Sequence, residues 1–156
     1  MPQAIHLLEP SILTPDKYYK VYSTDPSLLF VKVGGQFYDE KTDDEAPLVL
    51  GLFMMVLRKL YLNKRKDDIN ALIDRQFSED PQQLLAKKSN FDITSTSIKK
   101  IELKTKSTMH TNKTDNGTLH FHLENDAERK FTIPSFVPRK SVISFFQNHG
   151  IRVEIL

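Results

Sequence analysis

Residues 46–57, APLVLGLFMMVL, form an unbroken apolar run that stops abruptly at Arg58 and Lys59. At helical rise the run is about 18 Å long. A bilayer core requires roughly 30 Å, or ~20 apolar residues. A complete span is therefore not expected. Yet Leu48, Val49, Leu50, Leu52, Phe53, Met54, Met55, Val56 and Leu57 would cover every side of a helix. A helix that is apolar all round is a buried one. A small sheet can cover one side, so the other must meet a second helix, another subunit or lipid. The favoured reading is a helical hairpin that self-associates through Leu50, Phe53, Met54 and Leu57, where adjacent Met side chains suit an adaptable contact. Burial within one subunit and contact with a membrane surface are the alternatives.

A basic cluster follows: Arg58, Lys59, Lys64, Arg65 and Lys66. It has two readings. Near an anionic lipid surface each base is worth ~1 kcal/mol. Alternatively, the bases follow a helix that Asp39, Glu40, Asp43, Asp44 and Glu45 precede, which complements the macrodipole at both ends. Helix electrostatics is the favoured explanation.

The chain has 156 residues, enough for one domain with one core. It has ten Phe and no Trp, so Phe carries most of the aromatic packing. A net charge of +2 does not point to nucleic acid, and no RNA-recognition, zinc-finger or basic-zipper pattern occurs. The absence of cysteine excludes disulfides and thiolate sites. The opening MPQAIHLLEP lacks a basic segment and a long apolar segment. The expected location is cytoplasmic, peripheral to the membrane in the lipid reading.

Three sections follow from periodicity. In residues 1–43, strands are expected over 4–8, 18–22 and 28–33, with a fourth starting at 36–38. Tyr18, Lys20 and Tyr22 share a face, and Asp25-Pro26 marks a turn. Residues 44–88 read as a helical insertion. Ile69, Leu72, Ile73 and Phe77 recur at helical spacing, and a short helix starts with Asp80 as N-cap, Pro81 at the first position and Gln83 placed for a capping box. In residues 89–156, a strand over 97–106 carries Ile101 and Leu103 inward. Asp115-Asn116-Gly117 signals a hairpin. Leu119, Phe121 and Leu123 alternate with His120, His122 and Glu124. Phe131 and Ile133 point inward from the next strand. A helix from Pro138 to Asn148 buries Val142, Ile143, Phe145 and Phe146, Gly150 ends it, and residues 151–155 close as a last strand.

The stretches FDITSTSIKKIELK, GTLHFHLE and RKFTIPSFVPRKSVISFFQNHGI together resemble bacterial pleckstrin-homology-like or GRAM-like domains. Such domains show a strand of the type I..I.L, a hairpin, a strand of the type (K/R)-F-x-I-P, and a helix across one end of a barrel. The resemblance covers the last 65 or so residues, and residues 4–38 loosely. It implies an α+β fold: an antiparallel pleckstrin-homology-like barrel or strongly bent sheet with a helical insertion and a C-terminal helix. Two departures matter. Phe145 and Phe146 stand where such domains commonly place a helix Trp. The loop that phosphoinositide-binding members fill with bases corresponds to residues 10–17, where Lys17 is the sole base.

Other clusters have a plain explanation. Lys99, Lys100, Lys104 and Lys106 suit a strand edge protected against unwanted pairing. His120 and His122, with His110 across the hairpin, have spacing that could share a metal, but exposed alternation accounts for them. The carboxylates at 39–45 are explained by capping. No nucleophile elbow, phosphate loop or dinucleotide fingerprint occurs. The expectation is a non-catalytic interaction module without cofactor or metal. Its partner is a second copy or another protein, and nucleic acid is excluded. A peripheral binder of anionic membranes and a small-molecule-binding or enzymatic barrel are the alternatives.

Overall fold

The computed structural model describes residues 3–14, 16–34, 51–109, 111 and 114–156, with the backbone alone for 51–62. The chain is mixed α+β. Strands β1 (Ala4–Glu9), β2 (Lys17–Thr24) and β3 (Ser27–Gly34) come first. Helices α1 (Gly51–Glu79) and α2 (Pro81–Leu85) follow. Then come β4 (Phe91–Thr94), a 3-10 turn (Ser95–Ser97), β5 (Ile98–Lys104), β6 (Thr118–Leu123), β7 (Glu128–Thr132), α3 (Arg139–Asn148) and β8 (Val153–Ile155). Among the described residues, the eight strands form one sheet in the order β4-β3-β2-β1-β7-β6-β5-β8, which does not close. Pairing is antiparallel except between β5 and β8. Halves β4-β3-β2-β1 and β7-β6-β5-β8 are joined through one paired position, Leu8 opposite Thr132.

The aromatic core shows how strongly the sheet bends. Phe30 on β3 stacks on Phe91 at 4.6 Å and on Phe131 at 5.2 Å, and meets Phe121 edge-on at 6.2 Å. In a flat sheet β3 and β7 would lie three spacings, about 14 Å, apart. The two halves therefore fold over a shared Phe-rich interior. Helix α3 supplies Val142, Phe145 and Phe146 to it, all fully buried. The expected dominance of Phe holds there.

Strands β2 and β3 are buried on both faces, which explains their near-continuous apolar sequence. Tyr19, Val21, Leu28 and Phe30 face the Phe-rich core. Tyr18, Tyr22, Leu29, Val31 and Val33 face a second core, closed by Ile73 of α1 and Leu84 of α2. Phe77 stacks on Tyr22 at 4.2 Å.

Several expectations need correcting. No hairpin breaks the apolar segment from residues 69–77: α1 is one helix of 29 residues, because neither Gly nor Pro occurs between Leu52 and Glu79. Asp80 does cap α2, accepting from the Gln82 N–H, with Pro81 at the first turn. The reciprocal half of the capping box is pre-empted, since the Asp80 N–H already donates to the Gln76 carbonyl. Asp115-Asn116-Gly117 is no two-residue hairpin. It ends the 13-residue connection between Lys104 and Thr118. Strand β4, Phe91–Thr94, is too short to show alternation in the sequence. The Lys-rich β5 is no edge, since β8 covers it and β4 and β8 form the two edges. Expectations for residues 36–38 and for the helix start at 44–50 lie outside the described residues.

Candidate interaction surface

Strand direction brings several connections to one end of the sheet. Glu9 pairs with Lys17, Tyr18 with Gly34, Leu8 with Thr132, Thr132 with Thr118, and Thr118 with Lys104. The β1–β2 loop, the exit from β3, the β5–β6 connection and the β7–α3 connection therefore all leave from the same end. Parallel pairing of β8 with β5 puts the last residues there too, and the Leu156 N–H donates to the Leu103 carbonyl.

This end carries the bare apolar surface. Among the described residues, seven large hydrophobic side chains are exposed. Six sit here: Ile12, Leu13, Met109, Phe136, Ile155 and Leu156. Ile12 and Leu13 are 98% and 95% exposed and touch almost nothing of their own chain. Their loop is nonetheless braced. The Ser11 N–H donates to Asp16 at 2.9 Å, and the Ser11 and Thr14 hydroxyls lie 2.7 Å apart. Nothing in residues 10–17 shows periodicity, so sequence reasoning saw only a loop with a single base.

The β5–β6 connection is braced from inside. The buried Asp115 carboxylate accepts from the Thr108 N–H at 2.7 Å, the Thr108 hydroxyl at 2.6 Å, the Gly117 N–H at 2.8 Å and the Thr111 hydroxyl. Burial opposes its ionisation, but these donors hold its carboxyl below the usual range. Gly117 has φ +108°, and a Cβ there would collide with the backbone carbonyl of Lys104. Arg139 ties α3 to the same connection by donating to the Asn116 and Thr105 carbonyls at 2.9 and 3.1 Å.

Helix α1 runs toward this end from the other side of the sheet. Asp74 accepts from Lys20 and from the Tyr22 hydroxyl, each within 3 Å. One helical turn and more toward the N-terminus, Asn70, Asp67, Lys66 and Asn63 line a cleft of about 280 Å³, opposite Leu8, Tyr18 and Phe136. His6 lies in its floor with Phe136 edge-on at 5.9 Å. Burial, and then the Lys20 ammonium, pull the His6 pKa down to about 4, against a smaller opposing effect of Asp74. His6 is therefore a neutral imidazole at pH 7.

Of the residues expected to self-associate, Leu50 lies outside the described residues. Phe53, Met54 and Leu57 lie on the first two turns of α1, where the backbone alone is described. The same holds for Arg58 and Lys59. Lys64 and Arg65 are exposed, and Lys66 is half-buried at the cleft. The carboxylates at 39–45 and His110 lie outside the described residues.

His122 is not a free ligand. Its ring stands between two carboxylates, Nε2 3.2 Å from Glu102 and Nδ1 3.0 Å from Glu128. His120 sits between Glu102 and Lys130 across the strands, and burial followed by the Lys104 and Lys130 charges lowers its pKa. Among the described residues no three His, Asp or Glu side chains converge as a metal site. Nor is any helix there long and apolar enough to cross a membrane.

No protein-family model matches the chain, and a comparison with curated proteins finds no match.

Proposed function

We propose that the protein is a non-catalytic interaction module that self-associates through the start of α1, with Leu50, Phe53, Met54 and Leu57 at the contact. One observation carries this reading: α1 is longer than the sheet it packs on. Its 29 residues measure about 43 Å, against about 27 Å for the eight-residue strands β2 and β3. Ile69, Ile73, Phe77 and Asp74 anchor its C-terminal half. By Asn63 the helix has reached the level of Thr111 and Ser135, in loops at the sheet's end. At helical rise, residues 51–62 add about 18 Å of helix beyond Asn63. Their sequence, GLFMMVLRKLYL, is the least suited in the chain to face water. Burying each such side chain stabilises by ~1.5–3 kcal/mol.

The frame that presents the helix is read as pleckstrin-homology-like, with α1 and α2 inserted between β3 and β4. What supports this is the four-strand run β1 to β4 beside the run β5 to β7, with α3 packed into the bend. The fold alone leaves the function open. Light scattering across micromolar concentrations tests the self-association. Wild type is expected as a dimer or larger and Phe53→Asp as a monomer. A wild type monomeric throughout would defeat the proposal.

Binding to anionic membranes is the second reading. It is favoured by the exposure of Lys104, Lys106 and Lys140 at the apolar end. It predicts sedimentation with anionic vesicles that weakens as salt rises. Vesicles that leave the protein in the supernatant at low salt would remove it.

A further inference from the structure

We infer that the seam between β1 and β7 binds an extended acidic peptide, which pairs as a strand with an unpaired stretch of β7. The inference goes beyond the self-association proposed above and does not depend on it.

The seam has a cause in the sequence. Leu8 and Thr132 form its one paired position. Continuing that antiparallel register would set Pro10 opposite Lys130 and Pro134 opposite His6. Proline has no N–H to give to a ladder, so pairing stops on both sides of Leu8. On the Pro10 side an opening of about 570 Å³ separates the two chains, with residues 9–12 on one wall and residues 128–130 on the other.

The β7 wall offers main-chain groups. Along a strand in an antiparallel ladder, successive residues turn their N–H and C=O to opposite sides. Strand β7 bonds β6 through its odd-numbered positions. The Ile133 N–H donates to the Gly117 carbonyl and the Leu123 N–H to the Ala127 carbonyl, both at 2.9 Å. The regular register between these bonds assigns Arg129 and Phe131 to the same side. Glu128 and Lys130 therefore turn N–H and C=O into the opening, and among the described residues no backbone group pairs with them there. Both residues are exposed. Such a stretch recognises an extended polypeptide, whose own N–H and C=O groups repeat at the matching spacing.

Shape and charge choose the occupant. Arg129 reaches across the seam and donates to Glu9 at 2.6 Å, and the Ser11 N–H donates to Asp16, so both walls are braced. An opening walled on two sides admits a single strand. The β7 of a second copy would have to bring its own β6 and its own β1 wall with it. Of the carboxylates here, Glu9 is held by Arg129, and Glu128 stands 3.0 Å from Nδ1 of His122. The bases Lys17 and Lys130 remain, the first 3.7 Å from the already engaged Glu9 and the second in water. They favour acidic side chains on the peptide. Bracing of the walls also limits the ordering cost of binding.

Amide exchange followed by NMR on the full chain tests this, with the capped peptide Glu-Val-Glu-Val-Glu as the probe. In the free protein the Arg129 and Phe131 amides should exchange slowly and the Glu128 and Lys130 amides fast. Peptide at about ten times its dissociation constant should slow the latter two about tenfold. Methylating the main-chain nitrogens of both peptide valines should weaken binding about tenfold, because donors are lost while charge is kept. Lys130→Glu should weaken it about threefold or more, with the β6–β7 bonds untouched. Glu128 and Lys130 amides that are already slow in the free protein would show the stretch covered within the chain and overturn the inference. Amides that stay fast at millimolar peptide would overturn it equally. Binding that survives the methylation, or that tripolyphosphate or phosphatidylglycerol vesicles reproduce, would assign the bases to anions in general and overturn strand pairing.

Discussion

Lys20 shows how one polar side chain can hold a helix on a sheet. Its side chain is 9% exposed, and its ammonium lies 2.8 Å from Asp74, which also accepts from Tyr22 at 2.7 Å. A charge that well buried is tolerable only while it is paired. Asp74→Ala is expected to cost about 2–3 kcal/mol, somewhat under the value for a fully enclosed pair because Asp74 is partly open to water. Combining it with Lys20→Met should recover much of that loss. Urea denaturation measures both, and a loss under ~1 kcal/mol for the single variant would deny the clamp its role. His6, nearby, makes stability depend on pH. Its pKa is about 4 in the fold against an ordinary 6.5, so between those values the unfolded chain holds the proton and the folded one does not. Stability is complete above pH 6.5 and falls as pH drops toward 4, by as much as ~3 kcal/mol. His6→Gln should flatten that part of the pH–stability curve, and an unchanged slope would show that other groups produce it.

At the level of elements, sequence periodicity was informative wherever one face is buried and the other is wet. Leu119, Phe121, Phe131, Val142, Phe145 and Phe146 are all fully buried, as their spacing implies. The N-cap Asp80 and the C-terminal Gly150, with φ +70°, were legible because capping chemistry is local. What periodicity missed was set by distant partners. Four-residue β4 exists because β3 offers it an edge and Phe91 stacks on Phe30, with the Arg129 guanidinium 3.8 Å above the Phe91 ring. β5 became an interior strand because the final residues fold back beside it. The exposed Ile12 and Leu13 looked like ordinary loop residues until strand pairing showed which other loops share their end. Gly117 belongs to the same class, since its requirement comes from Lys104 in another strand. Gly117→Ala is expected to destabilise by about 2 kcal/mol or more, combining a positive φ with a backbone collision. Thermal melting checks this, and an unchanged midpoint would mean that the β5–β6 connection moves freely at that point.

For the whole molecule, a division of labour along α1 links fold to function. The C-terminal half completes the second core with Ile73 and Phe77. The N-terminal half carries the most apolar sequence in the chain, toward the end where Ile12, Leu13 and the final two residues are bare. In the proposed self-association the helix belongs to the protomer at one end and to the contact with a second copy at the other. Amide hydrogen exchange over a range of protein concentrations separates these roles directly. Amides of residues 66–79 should be protected equally at all concentrations, whereas those of residues 55–62 should gain protection as concentration rises through the dimerisation range. Equal, concentration-independent protection of both segments, persisting where the protein is monomeric, would contradict the account.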